Sequence, residues 1–477
     1  MQDNMDRHFL GDFNINGEEI AGDLIYNKES GAILLNLIKK VKVTDVFPIG
    51  RSYGIDIITG VLHSGAIVTL FHNHWAKTYT QVSQNQPIVL TQQLVFVADY
   101  AICSEGDATN VKYNKLECVL ENALNWSGLS AIELSTTDTS DFPTIKIKKI
   151  DNKNEYRWFG AKITFSTLLK YESFSLSHEE ELKVVERLIV SIESDEKLDA
   201  SNFISIRNKI ISLISFAIKN NVNIDEQVLY DYDQIGPNTE YLKYHLYTSE
   251  QRLIIHESNP WDYNFNLCQL SPEKDIQEDK LEPIFNLYLS RFKYKDMPPE
   301  MVFLNIVQAL ETFHTRFFYD DSKDGKDKYV ASVNERFGSL PNYSVIEKLL
   351  LNDTQKNCKH IILVSRLNDL LIRKYNKLFI KYYSSDVSSD ASFTQTVVNT
   401  RNYYTHYDSS KEKKALKDDE LLDAIRILSL LLEYSVCSQL GIDNQEKVRK
   451  ELMSEELSSI PDWKAFQEYA RKLLALK

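Results

Sequence analysis

Cysteine is scarce in this chain, and the few present are scattered: Cys103, Cys118, Cys268, Cys358 and Cys437. Their odd number and the lack of any C-x-x-C pair exclude a disulfide framework and a cysteine zinc site. Long apolar runs are missing as well. No window approaches roughly 18 apolar residues without charge, so no segment reads as a membrane-spanning helix. The residues from Met1 to Asp12 carry Asp, Arg and His where a signal peptide needs an apolar core, so the cytoplasm is the expected compartment. Glycine and proline are few, 15 and 11, as in an ordinary globular chain. No G-x-G-x-x-G or Walker-type phosphate loop occurs, which removes the commonest nucleotide-binding folds. Neither G-x-S-x-G nor H-E-x-x-H is found. Positive charge is in deficit, with 55 Lys and Arg against 68 Asp and Glu. A net charge of −13 argues against indiscriminate nucleic-acid binding over the whole surface.

What is present is length, tyrosine and one local reversal of charge. At 477 residues, two or three domains are expected. Tyrosine occurs 26 times, and its flat apolar body with a polar tip suits interfaces and base stacking as well as half-buried positions. Residues 351–415 hold 11 Lys/Arg against 6 Asp/Glu, a basic stretch inside an acidic protein. On charge alone this also describes a solvated helix face.

The first 170 residues read as short strands rich in β-branched and aromatic residues, such as 32–38, 65–71, 88–98 and 161–168. Turn signals at residues 14–17, 30–31 and 104–107 separate them, favouring an antiparallel sheet or sandwich over βαβ units. Residues 178–192 and 201–219 place apolar side chains three and four apart and are expected to be two inserted helices. Strand-like segments return at 227–232 and 240–247, before a proline- and acid-containing stretch at 271–283. From Pro298 onward the pattern is helical: 298–318, 345–351, 361–383, 392–407, 418–440 and 461–476. A charged loop at 320–328 interrupts it, and polar residues at 384–392 supply N-caps. The expected class is α+β and multidomain. A β-rich region spans residues 1–285, with a further break near 170–180, and an all-α bundle spans 298–477.

The informative stretch is Thr400-Arg401-Asn402-Tyr403-Tyr404-Thr405-His406-Tyr407. Asn402 and His406 lie four apart and share a helix face, and the long Arg401 side chain can swing to the same side. An imidazole with an unperturbed pKa of roughly 6.5 can take the proton of a ribose 2′-hydroxyl. A guanidinium can hold a phosphate bidentately and offset its developing charge. An amide can orient either. By spacing alone, the same residues also fit a surface arginine and a helix-terminal histidine that balances the dipole.

Arg401 to His406 resembles the R-N-x-x-x-H motif of the HEPN superfamily, in an aromatic setting (RNYYTHY) similar to its ApeA-like branch. The opening Gly11-Asp12-Phe13 and Ile20-Ala21-Gly22-Asp23-Leu24 resembles the ApeA N-terminal domain. The resemblance implies a HEPN helical bundle, and a bacterial anti-phage protein that halts growth by cutting RNA once a phage-derived trigger is sensed. The cut RNA would be host tRNA, another host RNA or phage RNA. The resemblance also implies a homodimer in which two motif helices face each other over one composite cleft. It implies catalysis by Arg401, Asn402 and His406 with no cofactor and no metal. Glu311 and His314, three apart on the first C-terminal helix, fall where the family carries polar residues facing the cleft; a solvated pair accounts for them equally. Tyr403 and Tyr407 are placed to stack on RNA bases, whereas Tyr404 has the spacing of a packing residue.

His72 and His74 (FHNHW) would share a strand face, but with no third ligand in view a structural role is the better reading. Trp75, Trp126, Trp158 and Trp261 read as core aromatics. The rival to an RNA-cutting enzyme is a binding module, a HEPN bundle without catalysis that holds nucleotide, RNA or a protein.

Overall fold

Asn16 and Gly17 take positive φ, 53° and 86°. They form the two-residue turn that sends β1 (Arg7–Ile15) directly back as β2 (Glu18–Tyr26), since such turns match the twist of the paired strands. In this computed structural model the described residues are 6–41, 54–82, 90–135, 144–147, 155–176, 179–235, 241–256, 262–274, 276–294, 296–319, 324–351, 361–384, 392–407, 409–454 and 459–475. They divide into two units, Met1–Ile211 with Val222–Ile255 and Ser212–Asn221 with His256–Lys477.

In the first unit β1 and β2 continue into β3 (Ile33–Val41), β4 (Gly54–Leu62), β5 (Ile67–Val82) and β6 (Leu90–Val97). These six strands close in the order β5-β4-β1-β2-β3-β6, with β6 returning to β5, so the barrel has no free edge. Alternate residues point inward, among them Phe13, Ile15, Ile20, Leu24, Leu35, Leu37, Leu70 and Phe96. Phe13 is fully buried. A Cβ on Gly60 would lie 2.5 Å from its ring and one on Gly22 3.1 Å from it, so glycine at both positions lets the ring fill the barrel. β5 bends at the end of the FHNHW segment, where its pairing with β6 shifts register between Trp75 and Lys77, while its pairing with β4 keeps one register. Within that segment His72 takes φ 53°, and its Nδ1 lies 3.0 Å from Asp56. His74 lies 3.7 Å from Asp99. Among the described residues no group of three or more His, Cys, Asp or Glu gathers around them or elsewhere.

Below the bend β5 also pairs with β7 (Tyr100–Ser104), which carries the sheet onward. The next strands are β15 (Tyr241–Thr248), β14 (Asn223–Ile235), β8 (Tyr113–Glu121), β13 (Glu179–Leu198), β12 (Ala161–Leu176) and β11 (Glu155–Trp158), all antiparallel. A short helix α1 (Leu124–Ser127) packs on β13, and β9 (Ile132–Ser135) and β10 (Thr144–Ile147) form a separate two-stranded ribbon. Trp126, Tyr156, Trp158 and Phe165 form an aromatic core cluster. Trp75 is partly buried against the barrel core, and Trp261 lies outside the described residues.

The expectation of a helix at residues 178–192 is corrected by β13. Leu188, Val190 and Ile192 are all buried, a period of two, and they face Leu120, Cys118 and Leu116 of β8. Val184, Leu188 and Ile192 fit a helix equally well by spacing, but β-branched side chains favour the pleat once strands lie on both sides. One long helix is therefore inserted, not two. It is α2 (Ala200–Ile218), whose Arg207 is buried and satisfied by Gln227, Thr248 and Glu250.

The second unit is helical, from α3 (Glu278–Lys293) to α13 (Pro461–Ala475). Pro283 sits inside α3 and has no N–H for the carbonyl of Asp279, which instead accepts a hydrogen bond from Arg316 of α4 (Pro299–Phe318). Between these ends run α5 (Gly325–Phe337), α6 (Tyr343–Leu350), α7 (Leu363–Tyr375), α8 (Lys377–Tyr383), α9 (Phe393–His406), α10 (Ser409–Glu412), α11 (Asp418–Gln439) and α12 (Gln445–Met453). The single helix expected over 361–383 is broken at Asn376, whose φ of 42° ends α7. Glu433 of α11 is a buried junction that accepts from Tyr288 and pairs with Arg291 and Lys219. Burial alone would push its carboxyl up, but the two cations hold it below the usual range. Among the described residues no helix is long and apolar enough to cross a membrane.

Candidate functional site

The motif lies on α9, and its neighbours fix that helix at both ends. At the start, the Ser392 side chain accepts from the backbone N–H of Gln395, and Asp462 accepts from the N–H of Phe393 at 2.6 Å. Thr394 donates to Asn368 of α7 at 2.9 Å. Phe393, Val397 and Thr400 are buried, an inward stripe of helical spacing. The motif residues that follow differ in exposure. Arg401 and Asn402 are half-buried, and His406 is exposed in the last turn. Arg401 donates from Nη1 to the Asn402 side-chain oxygen at 3.2 Å, so the amide orients the guanidinium. Tyr407 caps the helix in the left-handed region at φ 50° and is 73% exposed, which leaves its ring open to a stacking partner.

The segment after α9 folds back on it. The buried hydroxyl of Thr400 accepts from the N–H of Leu416 at 3.0 Å, and the Tyr404 hydroxyl donates to the Leu416 carbonyl at 3.1 Å. Burial raises the Tyr404 hydroxyl's pKa, and the charge of Glu300 adds to the effect. α9 packs against α4. Tyr403 touches Tyr404, Tyr407 and the ammonium of Lys417, at 5.1, 5.9 and 5.8 Å.

Glu311 and His314 do not join this group. They stand 11 and 14 residues beyond Glu300 on α4, which at 1.5 Å per residue is about 16 and 21 Å along the axis. Glu311 is half-buried. His314 is wholly buried, so it offers no surface to an RNA. Its Nε2 lies 3.1 Å from Asp369 of α7, also fully buried. Arg336 of α5 and Arg373 of α7 reach the same carboxylate at 3.2 Å each. Burial would raise the Asp369 carboxyl, but the His314 hydrogen bond and the two guanidiniums bring it down to about 2. For His314 burial prevails, and its imidazole is held below the usual range. Sequence reasoning missed this network. Only the Asp369–Arg373 pair, four apart on one helix, had a local signal.

The family described as ApeA N-terminal domain 1 matches residues 8–279, more than half of the chain, and Apea-like HEPN matches residues 304–446. No curated protein and no solved structure matches. With its β-rich part and its helical part each matched in this way, the chain belongs to the ApeA family as a HEPN defence protein of the ApeA type.

Proposed function

We propose that the chain is a metal-independent endoribonuclease, the effector of an abortive anti-phage response, with Arg401, Asn402 and His406 as its catalytic residues. The observation that carries this reading is the last two turns of α9, where the Arg401 guanidinium is oriented by Asn402 and His406 stands exposed one turn beyond that amide. His406 takes the proton of the ribose 2′-hydroxyl, and the 2′-oxygen attacks the adjacent phosphorus. The bond to the departing 5′-oxygen breaks, leaving a 2′,3′-cyclic phosphate. Arg401 holds the non-bridging oxygens as charge grows on them. Tyr407 offers a ring face to a flanking base, and Tyr403, half-buried beside it, offers its ring edge to the same strand. We assign the helical unit, which holds the expected 298–477 and also α3, to this effector and the β-rich unit to sensing or restraint.

Cleavage of purified RNA is expected to survive EDTA and to leave a 2′,3′-cyclic phosphate or its 3′-phosphate product, with DNA untouched because it lacks the nucleophile. Sequencing of RNA ends tests this. Ends bearing 5′-phosphate, or a strict Mg²⁺ requirement, would overturn the mechanism, and binding without cutting would leave a binding module.

One α9 offers one imidazole, while the departing 5′-oxygen also needs a proton. His314 is buried and far along α4, so we assign that proton to His406 of a second copy across a two-fold axis. Mixing His406→Ala chains with intact ones, once subunit exchange is shown, should reduce activity more steeply than dilution alone. Strictly proportional loss would show that one subunit holds a complete cleft.

A further inference from the structure

Residues 409–417, the segment between α9 and α11, read SSKEKKALK and carry four lysines against one glutamate. Lys413, Lys414 and Lys417 are exposed, and Lys411 is half-exposed. Length alone would let such a connector wander. Here it is pinned through Leu416, which is 4% exposed and whose N–H and carbonyl are both taken by α9, through Thr400 and Tyr404. Those two residues bracket Arg401 and Asn402 in sequence. Thr400 is itself locked, donating to the Thr396 carbonyl at 2.8 Å. Lys417 rests on the Tyr403 ring and pairs with Glu412 at 3.2 Å. The lysines are thus held beside the motif and do not merely neighbour it in sequence.

From this placement we infer that residues 409–417 form a phosphate track for single-stranded RNA, on which Lys411, Lys413 and Lys414 grip the backbone next to the bond being cut. The inference rests on the reading of α9 as an RNA-cleaving helix and adds how the substrate is held. Charge supports it over a protein partner. A chain of net charge −13 repels a polyanion over most of its surface, so RNA needs a local positive strip at the point of reaction. The strip also has an end. Asp418, Asp419 and Glu420 occupy the first turn of α11, where they complement the helix dipole, and they turn phosphate away beyond Lys417. An RNA strand laid on the lysines is therefore directed toward Arg401 and not over α11.

The test uses the full chain carrying His406→Ala, so that RNA is bound and not cut. Binding of a labelled single-stranded oligoribonucleotide is measured across a salt series, with and without Lys411→Gln, Lys413→Gln and Lys414→Gln together. Each lost single-strand phosphate contact lowers the slope of log K against log salt by about 0.7, so the triple variant should lose about two. At 0.1 M salt that corresponds to roughly a hundredfold weaker binding. Replacing the same three lysines by arginine should keep the slope. An unchanged slope and affinity, or no RNA binding by the His406→Ala chain, overturns the track. Cleavage by the wild-type chain is scored separately. An unchanged slope with intact cleavage removes the track alone, whereas a reduced slope without cleavage keeps the track and removes the nuclease reading.

Discussion

Replacing His406 by alanine is expected to abolish RNA cleavage while leaving the helical unit folded. His406 lies in the exposed last turn of α9, on the side opposite the buried Phe393, Val397 and Thr400, so its removal opens no cavity. It carries the motif's one imidazole, the group that takes the 2′-hydroxyl proton in the proposed step. Loss of a positioned general base lowers rates by about 10² to 10⁴, and more where the same residue of a second copy serves as the acid. Arg401→Lys should lose on the order of a hundredfold, because a point-charge ammonium cannot reproduce the fork that Asn402 orients. Initial rates on RNA, read beside circular dichroism, decide the matter. Cleavage retained by a normally folded His406→Ala chain would remove His406 from the mechanism.

The second large effect is on stability. Asp369→Ala should destabilise the helical unit by about 3–5 kcal/mol, because it strands the charges of Arg336 and Arg373 and the hydrogen bond of His314. The same network gives the unit its acid sensitivity. His314 is held neutral below the usual imidazole range, so as pH falls below about 6.5 the unfolded chain takes up a proton before the folded one does. Stability then declines. A further loss follows below about pH 4, as the carboxyl of Asp369, near 2 when folded, is protonated first in the unfolded chain. Denaturant titrations at several pH values, with hydrogen exchange of α4 and α7 to localise the change, measure both terms. His314→Gln, which keeps a donor for Asp369, should flatten the upper part of the pH curve. An Asp369→Ala variant with an unmoved midpoint would show that the network adds nothing to stability.

Much of this was local enough to read from the chain. The stripe of Phe303, Ile306, Val307, Leu310 and Phe313 announces α4 through spacing alone, and Pro299 opens it where its missing N–H costs nothing. Ser392, just ahead of Phe393, announces the start of α9, and the R-N-x-x-x-H pattern rests on an i, i+4 relation that any helix satisfies. The Asn16-Gly17 turn is equally local. Residues 178–192 were misread because helical and strand periods both fit them, and nothing nearby breaks the tie.

The sequence by itself determined α4, α6, α9, α11 and α13 of the second unit, many strands of the first and the identity of the motif. Each depends on residues within a turn or two of one another. Only the tertiary structure decided that β5 closes the barrel through β6, that β13 is a strand between β12 and β8, and that His314 is buried on Asp369. It also decided that Leu416 is pinned to Thr400 and Tyr404, which holds the lysine-bearing segment 409–417 against α9. These features are pairings of groups distant in the chain or across a loop. Their energies depend on desolvation and on partners that local spacing does not encode, so they exist only once the whole unit has folded.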